Sequence, residues 1–251
     1  MNIAIITGAS SGMGVEFFKE MQKEPLDEVW VIARREKNLI DVCKKFGKIT
    51  YKIFCMDVTE DKSIKSLEEA LKRENPTVKY LINNAGFGIF GKVSDIDKNK
   101  QSSMIDVNVR ALTEISSIVL KYMDTGSKII NISSIASFIP NANLASYSAT
   151  KAYVMSFSRA LRQELKPKKI NVTVVCPGPM NTEFLSVAGI ESGTSRMFDI
   201  LPYCDPHKTA KGAIKASKKG KAIYTPRLFY KFCRILGKVA PHSFLMKCFK
   251  A

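Results

Sequence analysis

Short apolar runs alternate along the chain with longer stretches in which apolar residues recur at helical spacing. The runs are IAIIT (3–7), VWVIA (29–33), YKIFC (51–55), KYLIN (79–83), KIINIS (128–133), INVTVVC (170–176) and, more weakly, AIYT (222–225). Continuous apolar strands are typical of a parallel sheet buried on both faces, and the stretches between them predict crossover helices. The pattern therefore predicts an α/β fold: a single doubly wound domain of about seven parallel strands with helices on both faces.

After the last run the chain continues as a tail with a helical pattern. Its apolar residues recur at helical spacing: Leu228, Phe232, Ile235, Leu236 and Val239. Its basic residues are expected on the opposite side: Lys231, Arg234 and Lys238. Pro241 ends this helix, and a second short apolar stretch holds Phe244, Leu245, Met246 and Phe249. We therefore predict a domain over residues 1–225 and a basic amphipathic helical extension over 226–251. The apolar face of this extension is expected to pack on the protein itself or on a partner subunit, and the alternative is that it lies in a lipid interface.

A glycine-rich loop, TGASSGMG (Thr7–Gly14), follows the first strand and opens the first helix. Glycines let the backbone approach a ligand closely, and the N-terminus of a helix offers free N–H groups and a positive dipole end to phosphate. The spacing is Gly-x-x-x-Gly-x-Gly, and its place between strand and helix predicts a nucleotide-phosphate site. The alternative is a glycine-rich turn that binds nothing.

Tyr147 and Lys151 lie four residues apart at the start of the helix after the fifth strand, and so share one face. A free phenol has a pKa of about 10, and a neighbouring cation favours the phenolate. The pair predicts a group that transfers a proton near neutral pH, with Lys151 lowering the pKa of Tyr147. The alternative is a surface tyrosine beside an ordinary lysine.

The formal net charge is +16, and its distribution is uneven. Residues 206–251 contain Lys and Arg but no Asp or Glu, which favours an anionic neighbour such as phosphate or lipid headgroups. The alternative is a solvated basic helix. Nucleic acid is not expected as a partner, because the chain has no recognisable binding motif and the charge is concentrated in one segment.

The cysteine and histidine content bears on disulfide bonds, metal binding and the cellular compartment. The six cysteines show no CxxC pair, which suggests a reducing compartment, and Cys55 and Cys176 end apolar runs and are expected in the core. With two histidines, no metal site is expected. No apolar run approaches the roughly 20 residues that cross a bilayer, and the first strand begins at the N-terminus. We therefore expect a cytoplasmic protein, with peripheral membrane contact as an alternative.

Together the motifs resemble those of the short-chain dehydrogenase/reductase family, in its single-domain, Rossmann-like form, from Ile3 to about Tyr224. They occur in the family's order: TGASSGMG, NNAG (83–86), Asn108 in DVNVRA, Ser134 in NISS, Tyr147 with Lys151, and PGPMNT (177–182). Ser134 precedes Tyr147 at the family's usual interval. Met13 stands where the family often has Ile or Leu, which is a conservative departure.

The resemblance implies roles for these residues. Tyr147 would be the general acid/base, Lys151 would also bind the nicotinamide ribose, Ser134 would hydrogen-bond the substrate oxygen, and Asn108 would hold a water in the proton path. The implied cofactor-binding residues are Gly8, Ser10, Ser11, Gly12, Met13, Gly14, Arg34, Arg35, Asp57, Val58, Asn84, Ala85, Gly86, Tyr147, Lys151, Pro177, Gly178 and Thr182. A homodimer or homotetramer is also implied.

The residues after the second strand bear on the choice of cofactor. NAD-binding sites place Asp or Glu about 20 residues past the glycines, and this chain has Arg34 and Arg35 there. Two guanidinium groups can pair with a 2′-phosphate, so NADP is favoured, with NAD as the alternative. Glu36 nearby, and the lack of a basic residue in the glycine loop, weigh the other way.

An apolar rim is expected beyond the carboxyl ends of the strands, where ligands bind in such sheets. Its residues are Phe87, Ile89, Phe90, Phe138, Leu144, Phe184, Leu185, Met197, Phe198, Ile200 and Leu201. The sequence thus predicts an NADP-dependent oxidoreductase that interconverts a secondary alcohol and a ketone on a lipophilic substrate, such as a steroid, a retinoid-like alcohol or an acyl chain. The alternative is a non-catalytic dinucleotide-binding regulator, which has no need of the Asn–Ser–Tyr–Lys set.

Overall fold

A computed structural model describes residues 1–191, 193, 195–241, 243, 245 and 246. Its centre is a seven-stranded parallel sheet with the order β3-β2-β1-β4-β5-β6-β7. The strands are β1 (Asn2–Thr7), β2 (Glu28–Ala33), β3 (Thr50–Cys55), β4 (Thr77–Asn83), β5 (Lys128–Ile132), β6 (Asn171–Val175) and β7 (Ile223–Tyr224). The predicted α/β fold with seven parallel strands is confirmed.

Ten α-helices are described. They are α1 (Gly12–Met21), α2 (Glu36–Phe46), α3 (Asp61–Glu74), α4 (Lys98–Ile105), α5 (Leu112–Val119), α6 (Ala145–Glu164), α7 (Glu183–Val187), α8 (Arg196–Ile200), α9 (Pro206–Lys218) and α10 (Leu228–Val239). A π-helical segment, Asp106–Ala111, joins α4 to α5, and a 3₁₀ turn, Ile135–Ser137, follows β5.

Helices cover both faces of the sheet, because its strands are apolar on both sides. In β1, Ala4 and Ile6 pack in the cluster under α1, α2 and α9, while Ile3 and Ile5 pack in the cluster under α3, α5 and α6. These side chains are fully buried, and burying each isoleucine contributes about 1.5–3 kcal/mol.

The chain reverses its direction of winding at β1, which pairs with β2 on one side and with β4 on the other. Ligands of open α/β sheets bind in the crevice beyond the carboxyl ends of the strands at such a switch point. The glycine loop follows β1 and the NNAG motif follows β4, so the fold brings these two motifs together.

One of the two cysteine expectations is wrong. Cys176 is fully buried, as expected, but Cys55 is exposed. Cys55 is the last residue of β3, which is an edge strand and ends at the rim of the sheet. The apolar run that precedes it therefore does not make it a core residue.

The faces of α10 also differ from the expectation. The side that packs on the protein carries Tyr230 and Cys233, while Leu228, Phe232 and Val239 are exposed. At 3.6 residues per turn, Tyr230 and Cys233 lie opposite the apolar row, and the basic residues lie on its flank rather than opposite it. Of the second apolar stretch, Leu245 is buried and Met246 exposed, while Phe244 and Phe249 lie outside the described residues.

Candidate active site

The carboxyl ends of the central strands open into a cavity of about 430 Å³. All of the site residues predicted from the sequence line this cavity, except Gly14 and Asn108. One end is walled by the glycine loop and the ends of β2 and β3, and the other by α7, α8 and α10. Among the described residues, no cluster of His, Cys, Asp or Glu could hold a metal ion.

The glycine loop forms a cradle of bare backbone at this cavity. Gly8 has φ +67°, and a Cβ there would lie 2.9 Å from Ala85 Cα. Gly14 serves the loop itself, since a Cβ there would lie 2.0 Å from the carbonyl oxygen of Gly8. Ser11, the N-cap of α1, makes no capping hydrogen bond through its side chain, so no capping side chain competes for the first N–H groups of α1. This cradle fits the phosphates of a dinucleotide.

Asn84 ties the NNAG motif to the glycine loop. Its Nδ2 donates to the carbonyl oxygens of Thr7 and Gly8, both at 3.1 Å. Below it, Asn83 Nδ2 donates to Asn131 Oδ1 at 2.9 Å, which links the ends of β4 and β5. Buried amide groups need hydrogen-bond partners, and the bonds of Asn84 therefore hold the NNAG motif and the glycine loop together.

Tyr147 and Lys151 are buried in the first turns of α6. Lys151 Nζ lies 5.7 Å from the centre of the Tyr147 ring and donates to the carbonyl oxygen of Ile132 at 3.1 Å. Burial lowers the pKa of Lys151 to about 8. Burial also raises the pKa of Tyr147 to about 12, and a hydrogen bond with Ser134 acts against this rise.

The sequence-based expectation for the pKa of Tyr147 therefore needs correction. Desolvation of the phenolate outweighs every nearby favourable group in this structure, and Lys151 is not among the groups that lower the pKa. Burial also makes the charged form of Lys151 less stable, so this ammonium loses its proton more readily than that of a solvated lysine. A phenolate at neutral pH needs a further positive charge in the cavity.

Ser134 stands next to Tyr147 because the chain turns sharply after β5. It is the N-cap of the 3₁₀ turn, and its Oγ accepts a hydrogen bond from the backbone N of Ala136 at 3.2 Å. The neighbouring Ser133 Oγ donates to the carbonyl oxygen of Lys151 at 2.7 Å. These bonds hold the hydroxyl of Ser134 against α6, beside the phenol.

Asn108 lies behind the site rather than on the cavity wall. Its Nδ2 donates to the carbonyl oxygen of Phe87 at 2.9 Å and to Thr150 Oγ1 at 3.1 Å, and its Oδ1 accepts from the backbone N of Phe87 at 3.1 Å. It is part of the π-helical segment, a form that is frequent at functional sites. Asn108 thus fastens the loop that follows NNAG to α6, which makes it a positioning residue.

The two arginines after β2 both have acidic partners. Arg34 Nη1 lies 3.5 Å from Asp57 Oδ2, and Arg35 Nη2 lies 2.7 Å from Glu183 Oε2. The hydrogen bond from Arg35 lowers the pKa of Glu183, and Ser11 adds to this effect. Glu183 begins α7, so the α7 side of the cavity is joined to the arginine side. Sequence reasoning missed this contact, because no short-range pattern links residues so far apart.

The substrate end of the cavity is apolar, as the predicted rim implies, but its membership differs. Predicted rim residues that line it are Phe87, Leu144, Phe184, Leu185, Met197, Phe198 and Leu201. Phe90 packs on Phe198 instead, Phe138 packs in the core, and Ile89 and Ile200 do not line the cavity. Lining residues that sequence reasoning missed include Ile139, Ile190, Tyr230 and Cys233. The Phe184 ring lies 5.7 Å from the Tyr147 ring, centre to centre.

Comparison with known proteins decides the family. A family model described as short chain dehydrogenase matches residues 2–190. The chain belongs to the short-chain dehydrogenase family. The sequence-based assignment is confirmed, and so is the expectation of an oxidoreductase that acts on CH–OH groups.

Curated relatives of this short-chain dehydrogenase have several descriptions. It is 30% identical to sulfoacetaldehyde reductase 2 of Chromohalobacter salexigens, covering 74% of this chain and 75% of the relative. It is 31% identical to the probable short-chain type dehydrogenase/reductase VdlC of Helicobacter pylori, covering 74% of this chain and 68% of the relative. The descriptions of these relatives differ, so they do not indicate which substrate this chain uses.

Solved structures share the fold of this dehydrogenase. A short-chain dehydrogenase from Sphingobium yanoikuyae, in complex with NADPH, has a TM-score of 0.82 at 24% identity and covers 100% of this chain and 97% of its own. A short chain dehydrogenase/reductase from Burkholderia phymatum, in complex with NAD, has a TM-score of 0.82 at 18% identity, covering 94% and 92%. Those two proteins bind the two cofactor forms that the sequence analysis allowed.

Proposed function

We propose that the protein is an NADP-dependent oxidoreductase that interconverts a secondary alcohol and a ketone on a lipophilic substrate. The observation that carries this proposal is the buried trio of Tyr147, Ser134 and Lys151 at the junction of the phosphate cradle and the apolar end of the cavity. A regulator that only bound a dinucleotide would have no need of a buried phenol and ammonium at this junction.

A dinucleotide bound at this cradle would supply the hydride in reduction and accept it in oxidation. Ser134 and Tyr147 hold the substrate oxygen, and in reduction the Tyr147 hydroxyl donates its proton to that oxygen as the carbonyl carbon gains the hydride. In oxidation the phenolate takes the same proton back. Lys151, with a pKa of about 8, is mostly protonated at neutral pH, and an oxidised nicotinamide ring would add the further positive charge that a phenolate needs.

The preference for NADP rests on Arg34 and Arg35 at the cavity wall. A 2′-phosphate would compete with Asp57 and Glu183 for these guanidinium groups, and a charge-assisted contact to phosphate is stronger than an exposed ion pair. NAD, which has no phosphate there, leaves both pairs in place. NAD therefore remains the alternative cofactor.

The preference for a lipophilic substrate rests on the composition of the cavity's far end. Phe184, Met197 and Phe198 supply large apolar surfaces, and apolar pockets with few polar groups recognise apolar ligands. An alcohol dehydrogenase from Comamonas testosteroni that is specific for bulky-bulky ketones has the same fold, with a TM-score of 0.78. We extend that substrate class to this chain: ketones with a bulky apolar group on both sides of the carbonyl.

The test is an NADPH-oxidation assay with ketones of increasing apolar size, steroid ketones included, and with sulfoacetaldehyde as the polar comparison. The proposal expects kcat/KM to rise with apolar size and to be higher with NADPH than with NADH. Highest activity on sulfoacetaldehyde would contradict the lipophilic class. Dinucleotide binding without turnover on any member would favour the regulator.

Two further predictions accompany this function. A homodimer or homotetramer and a cytoplasmic location stay predictions from the sequence. Within the described residues, no helix has both the length and the apolar character that a membrane crossing requires.

A further inference from the structure

An apolar row on α10 is exposed, although the helix is well anchored to the protein. Leu228 is 80% exposed, Phe232 59%, Ile235 55% and Val239 74%. These four residues follow the spacing i, i+4, i+7, i+11, so they form one straight row along the helix. We call them the outer row. Leaving such a row in water is unfavourable by about 25 cal/mol per Å² of apolar surface, which indicates a partner.

The anchoring of α10 fixes the direction in which the outer row faces. The Tyr230 ring packs directly on Gly178, and a Cβ on Gly178 would lie 2.2 Å from this ring. The Tyr230 hydroxyl donates to the carbonyl oxygen of Pro202 at 2.8 Å. Gly237 also packs closely on Phe138, and a Cβ on Gly237 would lie 2.8 Å from the carbonyl oxygen of Phe138. The side opposite the outer row is thus held against the protein, so the row cannot turn inward without dismantling these contacts.

The charge beside the outer row selects the kind of partner. Lys231 and Lys238 are exposed on its flank, and residues 206–251 contain no acidic residue. In a dimer in which the outer rows of two copies face each other, the lysines of both copies would come together. Neither tail has an acidic residue that could pair with these lysines, so this contact is disfavoured. An anionic lipid surface offers apolar acyl chains to the row and phosphate to the lysines.

We infer that α10 docks the protein onto an anionic lipid surface, with the outer row in the headgroup–acyl boundary and Lys231 and Lys238 at the phosphates. The same helix reaches the substrate cavity, because Tyr230 and Cys233 line it and pack with Leu201. Ile200, beside Leu201, is 68% exposed. The docked helix therefore borders the apolar end of the cavity, and a lipophilic substrate would enter from the lipid; this last step rests on the proposed function, whereas docking does not.

The test is sedimentation of the full chain with vesicles of phosphatidylcholine and phosphatidylglycerol in equal parts, and with vesicles of phosphatidylcholine alone, at low and high salt. The expected result is binding to the anionic vesicles that high salt weakens. The triple variant Leu228→Ser, Phe232→Ser, Ile235→Ser should lose this binding while keeping its fold, because all three side chains are exposed.

Two pairs of charge reversals distinguish a local effect of the lysines beside the outer row from an effect of the protein's net charge. Lys231→Glu with Lys238→Glu should weaken binding to the anionic vesicles roughly tenfold or more. Lys65→Glu with Lys72→Glu is the matched control, since these lysines are exposed, seven residues apart and on another helix, α3. Equal loss from both pairs would mean that net charge alone attracts the protein, and would overturn the assignment to α10.

Two other results would also overturn the inference. One is full-length protein that ignores both vesicle types. The other is a triple variant that binds vesicles normally but changes its oligomeric state in analytical ultracentrifugation, which would assign the outer row to a second copy. Turnover of a water-soluble ketone by the triple variant is measured alongside, so that a failure of docking is not confused with a failure of the proposed chemistry.

Discussion

At the scale of single residues, the site combines groups whose charges are costly to bury. Lys151 and Tyr147 are both desolvated, and their pKa values move apart from similar starting points: that of lysine falls to about 8 and that of tyrosine rises to about 12. Strongly shifted pKa values of buried groups in a cleft are typical of functional sites. The motif could be read from the sequence, but the direction of the tyrosine shift could not, because it depends on burial that the sequence does not state.

The pKa of Lys151 predicts a stability effect that depends on pH. The ordinary lysine value is 10.5 and the folded value about 8, so between these the unfolded chain binds more protons than the folded one. The stability of the wild type relative to Lys151→Met should therefore rise as pH rises through this window, by up to about 3 kcal/mol.

Urea unfolding of both proteins at a series of pH values measures this difference. Lys166→Met, on the exposed surface after α6, is the control and should give a flat difference. A flat difference for Lys151→Met as well would show that Lys151 is not desolvated in the folded protein.

A second residue-scale prediction concerns the cofactor. Arg34→Ala with Arg35→Ala should weaken NADP binding far more than NAD binding, because each lost charge-assisted phosphate contact costs about 1.5–3 kcal/mol. Apparent affinities for both dinucleotides, in wild type and variant, give the comparison. Equal loss for NADP and NAD would mean that the arginines only shape the loop.

The substitution Glu183→Gln should change the affinity for NADP in the opposite direction. It removes the carboxylate that occupies Arg35 at 2.7 Å and leaves the side chain's size unchanged. NADP should bind more tightly and NAD about as before, because the freed guanidinium is available to a 2′-phosphate. Weaker NADP binding would indicate that Glu183 supports the site rather than competing with the ligand.

At the scale of elements, the fold was accessible from the sequence wherever a local pattern defines the element. The strands coincide with the apolar runs to within a few residues, and α6 begins just before Tyr147 as its pattern predicts. The π-helical segment around Asn108 and the inward side of α10 were not accessible, since both depend on distant partners: Phe87 for the first, Gly178 for the second.

The seating of α10 gives a prediction at this scale. Gly178→Ala should destabilise the protein by about 1–3 kcal/mol, because its Cβ would overlap the Tyr230 ring. In Tyr230→Ala the ring is absent, so adding Gly178→Ala to that background should cost much less. Urea unfolding of the single and double variants gives the coupling energy. Additive costs would mean that the two residues do not touch.

At the scale of the whole molecule, one edge of the sheet gathers everything that the proposed chemistry needs. The phosphate cradle, the proton-transfer group and an apolar end lie in one cavity, and the exposed basic helix borders it. The order of the motifs along the chain predicted this gathering, because parallel strands bring their carboxyl ends to one edge. The division of the chain at residue 225 stays a prediction.

The most direct measurement is the turnover of Tyr147→Phe on the best ketone found in the NADPH assay. The variant lacks the hydroxyl to which the proposal assigns proton donation but keeps the ring that packs on Phe184. We predict a fall in kcat of about 100- to 10,000-fold with NADPH affinity unchanged, while Tyr153→Phe, on the exposed side of the same helix, retains full activity. Near-normal turnover by Tyr147→Phe would contradict the account.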